Sequence, residues 1–341
     1  MSRDTGRDDP ALRLERGLQQ LLAWLDGRDI SVLEAVVRAS AHLLRHACSD
    51  DAHEAEQARA LLQRAGERGV PPHLAHQTLF AQVCLQANEV LGDRRFLDAA
   101  HSVCEGLLHW PRDENGAGAC LSAVPGRLMK VHHANLQAAA VLAEVGLREG
   151  RDEFLALARR AAAYSCARQQ PDGSWQHGEA PHLRWIDHFH LGSQVASLAA
   201  LARSDVAPQA PAALDRAAAR LVAAHFDAQG RPKVEARATP PVEADVLVAA
   251  DALDALGHLV DATPALVPLV ARMADWTARH LQPWSLWRDP ATPHGPARIA
   301  RALARAQAVL LEHPRPQVAW AGSPVPARLG RGEQVEARCH G

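Results

Sequence analysis

The side chains best equipped for chemistry gather in one stretch of this 341-residue chain, Gln169 to Leu198, QQPDGSWQHGEAPHLRWIDHFHLGSQVASL. Asp187 stands beside His188 and three residues before His190. A carboxylate close to imidazoles suits general acid–base work. Read as the opening of a helix, the segment puts Asp187 and His190 on one face. Asp187 is also an N-cap residue type, and capping alone would give it a purely structural role. His188 and His190, two positions apart on a helix, would not chelate one ion together.

Comparable groups recur wherever a similar helix begins. His73 and His76 precede one run, and His132, His133 and Asn135 another. Glu243, Asp245, His294 and Arg298 open the last two. Aromatic residues are few, with eight Trp, five Phe and one Tyr. Even so, Trp110, Trp175, Trp185, Trp284 and Trp287 all fall in or beside long connections. An indole there offers a flat face and an N–H to a ligand, or it plugs a loop onto a helix end. The plug suits Trp175 better. Trp185 and Trp287 are the candidates for ligand contact.

The elements that must position these groups are helical. Apolar positions recur at spacings of three and four. They predict helices at 11–26, 30–46, 54–67, 72–91, 94–108, 131–149, 152–169, 187–203, 209–226, 242–260, 264–281 and 294–312. From the fourth helix on, connections after even-numbered helices are short and those after odd-numbered helices are long. Odd helices end about every 57 residues, the mark of an internal repeat. DENGAG, PDGSW, DAQGRPK and QPWSLW follow successive ends. Small residues crowd the even helices, as in AAAVLAEVG and VAADALDALG. The expectation is an all-α fold, an (α/α)6 toroid of six helical hairpins. Even helices line its axis, and the decorated loops share one rim. An open solenoid is the alternative. Residues 11–312 form this single domain. Residues 1–10 and the Pro- and Gly-rich 313–341 read as disordered.

Composition excludes several classes. The formal net charge is -2 with mixed signs, and no basic stripe marks a nucleic-acid footprint. No apolar run is long enough to span a membrane. No secretory h-region opens the chain, and the six cysteines form no CxxC pair. Reduced thiols in a cytoplasmic protein follow from that. There is no HExxH, phosphate-binding glycine loop or GxSxG, so no metal and no cofactor are expected.

Gln169-x-x-x-Gly173-x-Trp175 resembles the Q-x-x-x-G-x-W repeat of the squalene–hopene cyclase and prenyltransferase toroids. There the motif is structural, tying an outer helix end to the following loop. The D-x-D-D acid of those cyclases is absent. A longer likeness, from about 135 to 312, is to bacterial toroid proteins of capsule and exopolysaccharide gene clusters. Their pattern resembles DGSW–xYG–RWIDNFHTGYVLEAL. Here it reads Asp172-Gly173-Ser174-Trp175, His177-Gly178, then Arg184-Trp185-Ile186-Asp187-His188-Phe189-His190. Gly230-Arg231-Pro232-Lys233 and Asp245 continue it. The chain departs at His188, where that family has Asn, and at Leu247, where it has His. Ile299 and Leu303 replace tryptophans after Arg298. The Trp-Ile-Asp segment also resembles unsaturated glucuronyl hydrolases. The terminal Cys339-His340-Gly341 resembles a zinc-ligand pair of lanthionine cyclases, but without their partner cysteine motif.

These resemblances imply a protein that handles a small-molecule or oligosaccharide ligand, a uronate or polysaccharide precursor. Asp187, His190 and Asp245 would be catalytic. Trp185, His188, His132, His133, Trp287 and Arg298 would contact the ligand. A terpenoid cyclase or prenyltransferase relative is one alternative, and so few aromatic residues make its cavity hard to build. A non-catalytic binding or scaffold protein is the other.

Overall fold

The computed structural model describes residues 9–26, 30–186, 190–227, 230–233, 246–281 and 295–313. Six helices pack side by side around a closed inner ring. They are α2 (Val32–Ser49), α4 (Leu74–Leu91), α6 (His132–Glu149), α8 (Leu191–Ser204), α10 (Val246–Gly257) and α12 (Gly295–Glu312). Each packs on the next, and α12 returns to α2. The outer layer holds α1 (Pro10–Leu25), α3 (Ala52–Arg68), α5 (Arg94–Leu108), α7 (Asp152–Cys166), α9 (Ala210–His225) and α11 (Val267–Arg279). The ring closes where α1 packs on α11 and α12. Arg13 pairs with Asp275 at 3.0 Å there, and Gln307 donates to Glu15. The six-hairpin ring is therefore what the periodicity predicts.

The two layers bury different faces. Outer α5 buries Leu97, Ala100, Cys104 and Leu107, one stripe at helical spacing. Inner α6 is buried almost all round, from His132 through Gly146. Alanines at 134, 138, 139, 140 and 143 allow its neighbours to approach closely. Two of the short turns on the plain side, α2 to α3 and α4 to α5, are built alike, with a left-handed C-cap followed by an aspartate N-cap. Gly92 closes α4 in the left-handed conformation, and the Asp93 carboxylate then accepts from the Arg95 N–H to open α5.

Two departures lie on the decorated side. The connection after α5 is a three-stranded antiparallel sheet, β1 (Arg112–Asn115), β2 (Gly118–Val124) and β3 (Arg127–Lys130), paired in the order β1-β2-β3. It packs on α7 and α6. The eighth helix starts at Leu191 rather than 187, with His190 at its N-cap. Asp187, the other member of the expected i,i+3 pair, lies outside the described residues. Of the ends expected to be disordered, Asp9 and Pro10 cap and open α1, and residues 1–8 and 314–341 lie outside the described residues. Among the described residues no helix is long and apolar enough to cross a membrane. Cys48, Cys84, Cys104, Cys120 and Cys166 are free thiols, and burial pushes Cys84 and Cys120 up to about 12.

Candidate functional site

The loop after α7 is built on the seven residues from Gln169 to Trp175. Trp175 is fully buried, and its indole N–H donates to the Ser165 carbonyl at 2.8 Å. The Gln169 amide donates to Gly173 O at 3.2 Å and Ala213 O at 3.0 Å, and it accepts from Arg216. Gly173 has φ +86°, and a Cβ there would meet Arg216 O at 2.2 Å. This end of the motif is a structural clamp between two hairpins, as the resemblance implies.

Beyond the clamp the chain turns back on itself. His177 N–H donates to Trp185 O at 2.8 Å, and His132 N–H donates to His177 O at 3.2 Å. A bridge between Gln176 and Ile186 makes His177 and Trp185 cross-strand neighbours. Their rings stack at 4.4 Å with planes 9° apart. A second bridge, Val131 to Gly178, lays this ribbon against the start of α6. Glu179 anchors it. Tyr164 Oη donates to Glu179 at 2.7 Å, and Lys130 and Arg168 pair with the same carboxylate. Burial alone would raise the Glu179 pKa. Hydrogen bonds from Lys130 and Tyr164 and the Arg168 charge outweigh it and hold the group at about 2.

Three histidines meet at this point. His133 and His190 stack face to face with centroids 3.8 Å apart and planes 4° apart. His177 lies 5.4 Å from the first ring and 5.3 Å from the second. One ring nitrogen from each of the three lies within 4.8 Å of the other two. His133 is buried, His177 and His190 are partly exposed, and Trp185 is 46% exposed above them. The arrangement is an aromatic ladder running from solvent to the start of an inner helix.

The structure thus brings His133, His190 and Trp185 together through His177. The other expected residues are placed differently. His132 turns toward α7, with Nδ1 3.5 Å from Ser165 Oγ and its ring beside Tyr164. Burial, helped by the Arg168 charge and opposed by Glu179, pushes it down to about 4. Asn135 is a structural tie, accepting from Leu121 N at 3.0 Å and donating to Ala161 O at 2.9 Å. Arg298 pairs with Asp251 across α12 and α10. Asp187, His188, Asp245 and Trp287 lie outside the described residues. Trp110 is tied to the sheet, its indole N–H donating to Ser122 O at 2.7 Å.

His177 was not among the expected contact residues, because its partners come from two distant helices. A repeat does point to the cluster. His73 and Gln77, His133 and Gln137, and His190 and Gln194 place His-x-x-x-Gln at the start of three successive inner helices. Gln194 is fully buried, and neither of its amide atoms meets a hydrogen-bond partner among the described residues. The Gln137 amide oxygen is likewise unmet.

No protein-family model matches the chain, and no curated protein matches it. Solved structures match along most of its length. A Listeria innocua protein, Lin0763, superposes with TM-score 0.71 at 11% identity, covering 90% of this chain and 99% of its own. The fold is that of the six-hairpin α/α toroids. The GH76A α-1,6-mannanase of Salegentibacter sp. HEL1_6 has TM-score 0.64 at 12% identity, covering 89% of this chain and 100% of its own. An unsaturated glucuronyl hydrolase specific for heparin has TM-score 0.59 at 11% identity, covering 87% and 94%. At these identities the likeness speaks for the fold alone.

Proposed function

We propose that this toroid binds an oligosaccharide or uronate on its decorated rim and acts on it by acid–base chemistry. The observation that carries the reading is Trp185. It is a half-exposed indole backed by the His177 ring, beside the stacked His133–His190 pair. An exposed aromatic face held rigid from behind suits the apolar face of a pyranose. Asp187 serves as the acid or base, with His190 and Asp245 assisting. Arg298, Trp287 and His188 complete the contacts to an anionic sugar, while the buried His132 backs the site from beside Ser165 rather than touching the ligand. The mannanase and glucuronyl hydrolase among the structural neighbours support carbohydrate as the ligand class.

A second reading, binding without turnover, draws on α6. That helix is buried nearly all round, so the ring at its height is filled and the ligand sits at the rim. Leu247, in the place of the resembling family's histidine, points the same way.

The test is ligand-induced stabilisation, since a bound ligand raises the melting temperature by mass action. The panel holds α-1,6-mannan fragments, uronate oligosaccharides, nucleotide sugars and prenyl diphosphates. Stabilisation by a sugar that falls at least tenfold in affinity in Trp185→Ala supports the proposal. Response to prenyl diphosphates alone overturns it in favour of a terpenoid enzyme. Sugar binding without turnover leaves the second reading.

A further inference from the structure

We propose that His133, His177 and His190 form a binding site for one divalent transition-metal ion, of which zinc is the natural fit. The reasoning starts from donor chemistry. Three imidazole nitrogens make a donor set suited to zinc, nickel, cobalt or copper, and poorly suited to magnesium or calcium. The site draws on three separate segments, namely the first turn of α6, the ribbon after α7 and the N-cap of α8. This is why no local spacing motif announces it. One ring nitrogen from each histidine lies within 4.8 Å of the others. Ligand nitrogens sharing a tetrahedral zinc at about 2.0–2.1 Å stand about 3.4 Å apart.

The remaining adjustment is a rotation of rings rather than a shift of backbone. His133 and His190 are stacked with planes 4° apart, so their in-plane lone pairs run parallel. Convergence on one ion needs these rings to turn toward each other, and His177 and His190 are only partly buried. The backbone beneath is firm. The His177 main chain is hydrogen-bonded on both sides, to Trp185 and to His132. One turn beyond His190, the fully buried Gln194 offers an amide with no hydrogen-bond partner among the described residues. Gln137 does the same with its amide oxygen, one turn beyond His133. Unmet buried amides next to a donor cluster are the kind of group that orients water or ligand around an ion.

The inference concerns the same cluster as the carbohydrate reading but does not depend on it, because metal uptake is measured without sugar. The full chain, stripped with chelator, is titrated with zinc by calorimetry. Cobalt(II) absorption then reports the coordination geometry. The expected result is one ion per chain and a cobalt spectrum of tetrahedral intensity. Affinity should fall at least tenfold in each of His133→Gln, His177→Ala and His190→Ala. Should His133→Gln fail to fold, the two partly exposed positions decide the matter. Cys339→Ala/His340→Ala is expected to bind as wild type. No uptake at millimolar zinc overturns the site. So does uptake unchanged in His177→Ala and His190→Ala, or uptake lost with the terminal Cys-His pair. Failure of every sugar to bind would leave this result untouched.

Discussion

His133 and His190 lie face to face, 3.8 Å between ring centroids, although they belong to different hairpins. Their separation in the chain is one repeat of about 57 residues. Each hairpin returns its inner helix to the same height on the same rim, so residues at equivalent places become neighbours across the ring. The toroid thereby converts a modest sequence repeat into a polar cluster where the inner helices start. Beyond Gln137, alanines take over in α6 and its neighbours approach closely.

The first prediction concerns acid stability. Glu54 is buried, with His42 Nδ1 at 2.6 Å from one carboxylate oxygen and Arg45 Nε at 2.6 Å from the other. Burial raises its pKa, but these bonds outweigh that and hold the group below its ordinary value. A depressed carboxylate contributes stability that is complete above the unfolded pKa of about 4.3 and is lost as pH falls through the folded one. Denaturant midpoints should therefore drop below about pH 4.3, and less steeply in Glu54→Gln. At neutral pH Glu54→Gln should cost about 3 kcal/mol, near the low end for breaking a buried pair. Arg45 keeps its contact with Glu15, which limits the loss. Parallel pH profiles for the two proteins would refute this.

The clamp of the central loop gives the second. Gly173→Ala puts a Cβ at 2.2 Å from Arg216 O at a φ of +86°, so backbone must move. Trp175→Ala empties a fully buried site and removes a hydrogen bond to Ser165, at a cost of about 3–5 kcal/mol. Both variants should melt well below wild type, and Gly173→Ala should lose ligand binding through displacement of the ribbon. A Gly173→Ala protein as stable as wild type would contradict the clamp.

Much of this was legible in the chain. Helix positions follow from the spacing of apolar residues, and α5 buries the stripe its sequence marks. The three-stranded sheet was not read, though its turns carry recognised signals. Asn115-Gly116 starts the first hairpin, and Pro125-Gly126 the second. The strands are too short and irregular to show clean alternation. The start of α8 was placed four residues early because Trp185, Ile186 and Phe189 extend its apolar pattern, whereas Trp185 belongs to the ribbon. The histidine cluster is non-local in three directions. No scan of neighbouring residues finds it, and only the His-x-x-x-Gln repeat points to it.

A third prediction tests how α10 is held to α12. Asp254 is buried, with Arg305 Nε at 2.6 Å and Arg301 Nη2 at 2.9 Å. The arginine charges overcome the burial penalty and keep its pKa well below the carboxylate range. Asp254→Ala leaves two guanidinium groups facing each other without their anion and should cost about 3–5 kcal/mol. Asp254→Asn retains hydrogen-bond acceptance but not charge and should fall between. Urea unfolding at pH 7 measures both, and equal stabilities for all three proteins would remove the bridge from the account.

Asp187 is the sharpest test of the proposed chemistry. In the sequence its role is divided between helix cap and acid or base. The N-cap position of α8 belongs to His190, and Asp187 itself lies outside the described residues, so its variants decide between the two roles. As an acid or base rather than a cap, Asp187 predicts that Asp187→Asn and Asp187→Ala both melt within about 1 kcal/mol of wild type, whereas a cap would make Ala the costlier of the two. Their effect on the reaction should be large and alike, because neither amide nor methyl can transfer a proton at neutral pH. General acid–base catalysis contributes about 10²–10⁴-fold, and turnover of a sugar from the panel should fall by that much. Ligand affinity should survive in Asp187→Asn, separating the chemical step from binding. A variant with Asn that turns over like wild type would end the catalytic assignment. One that loses binding but not rate would make Asp187 a contact residue. If no panel sugar is turned over by wild type, the binding-only reading stands, and Asp187→Asn should then leave ligand stabilisation unchanged.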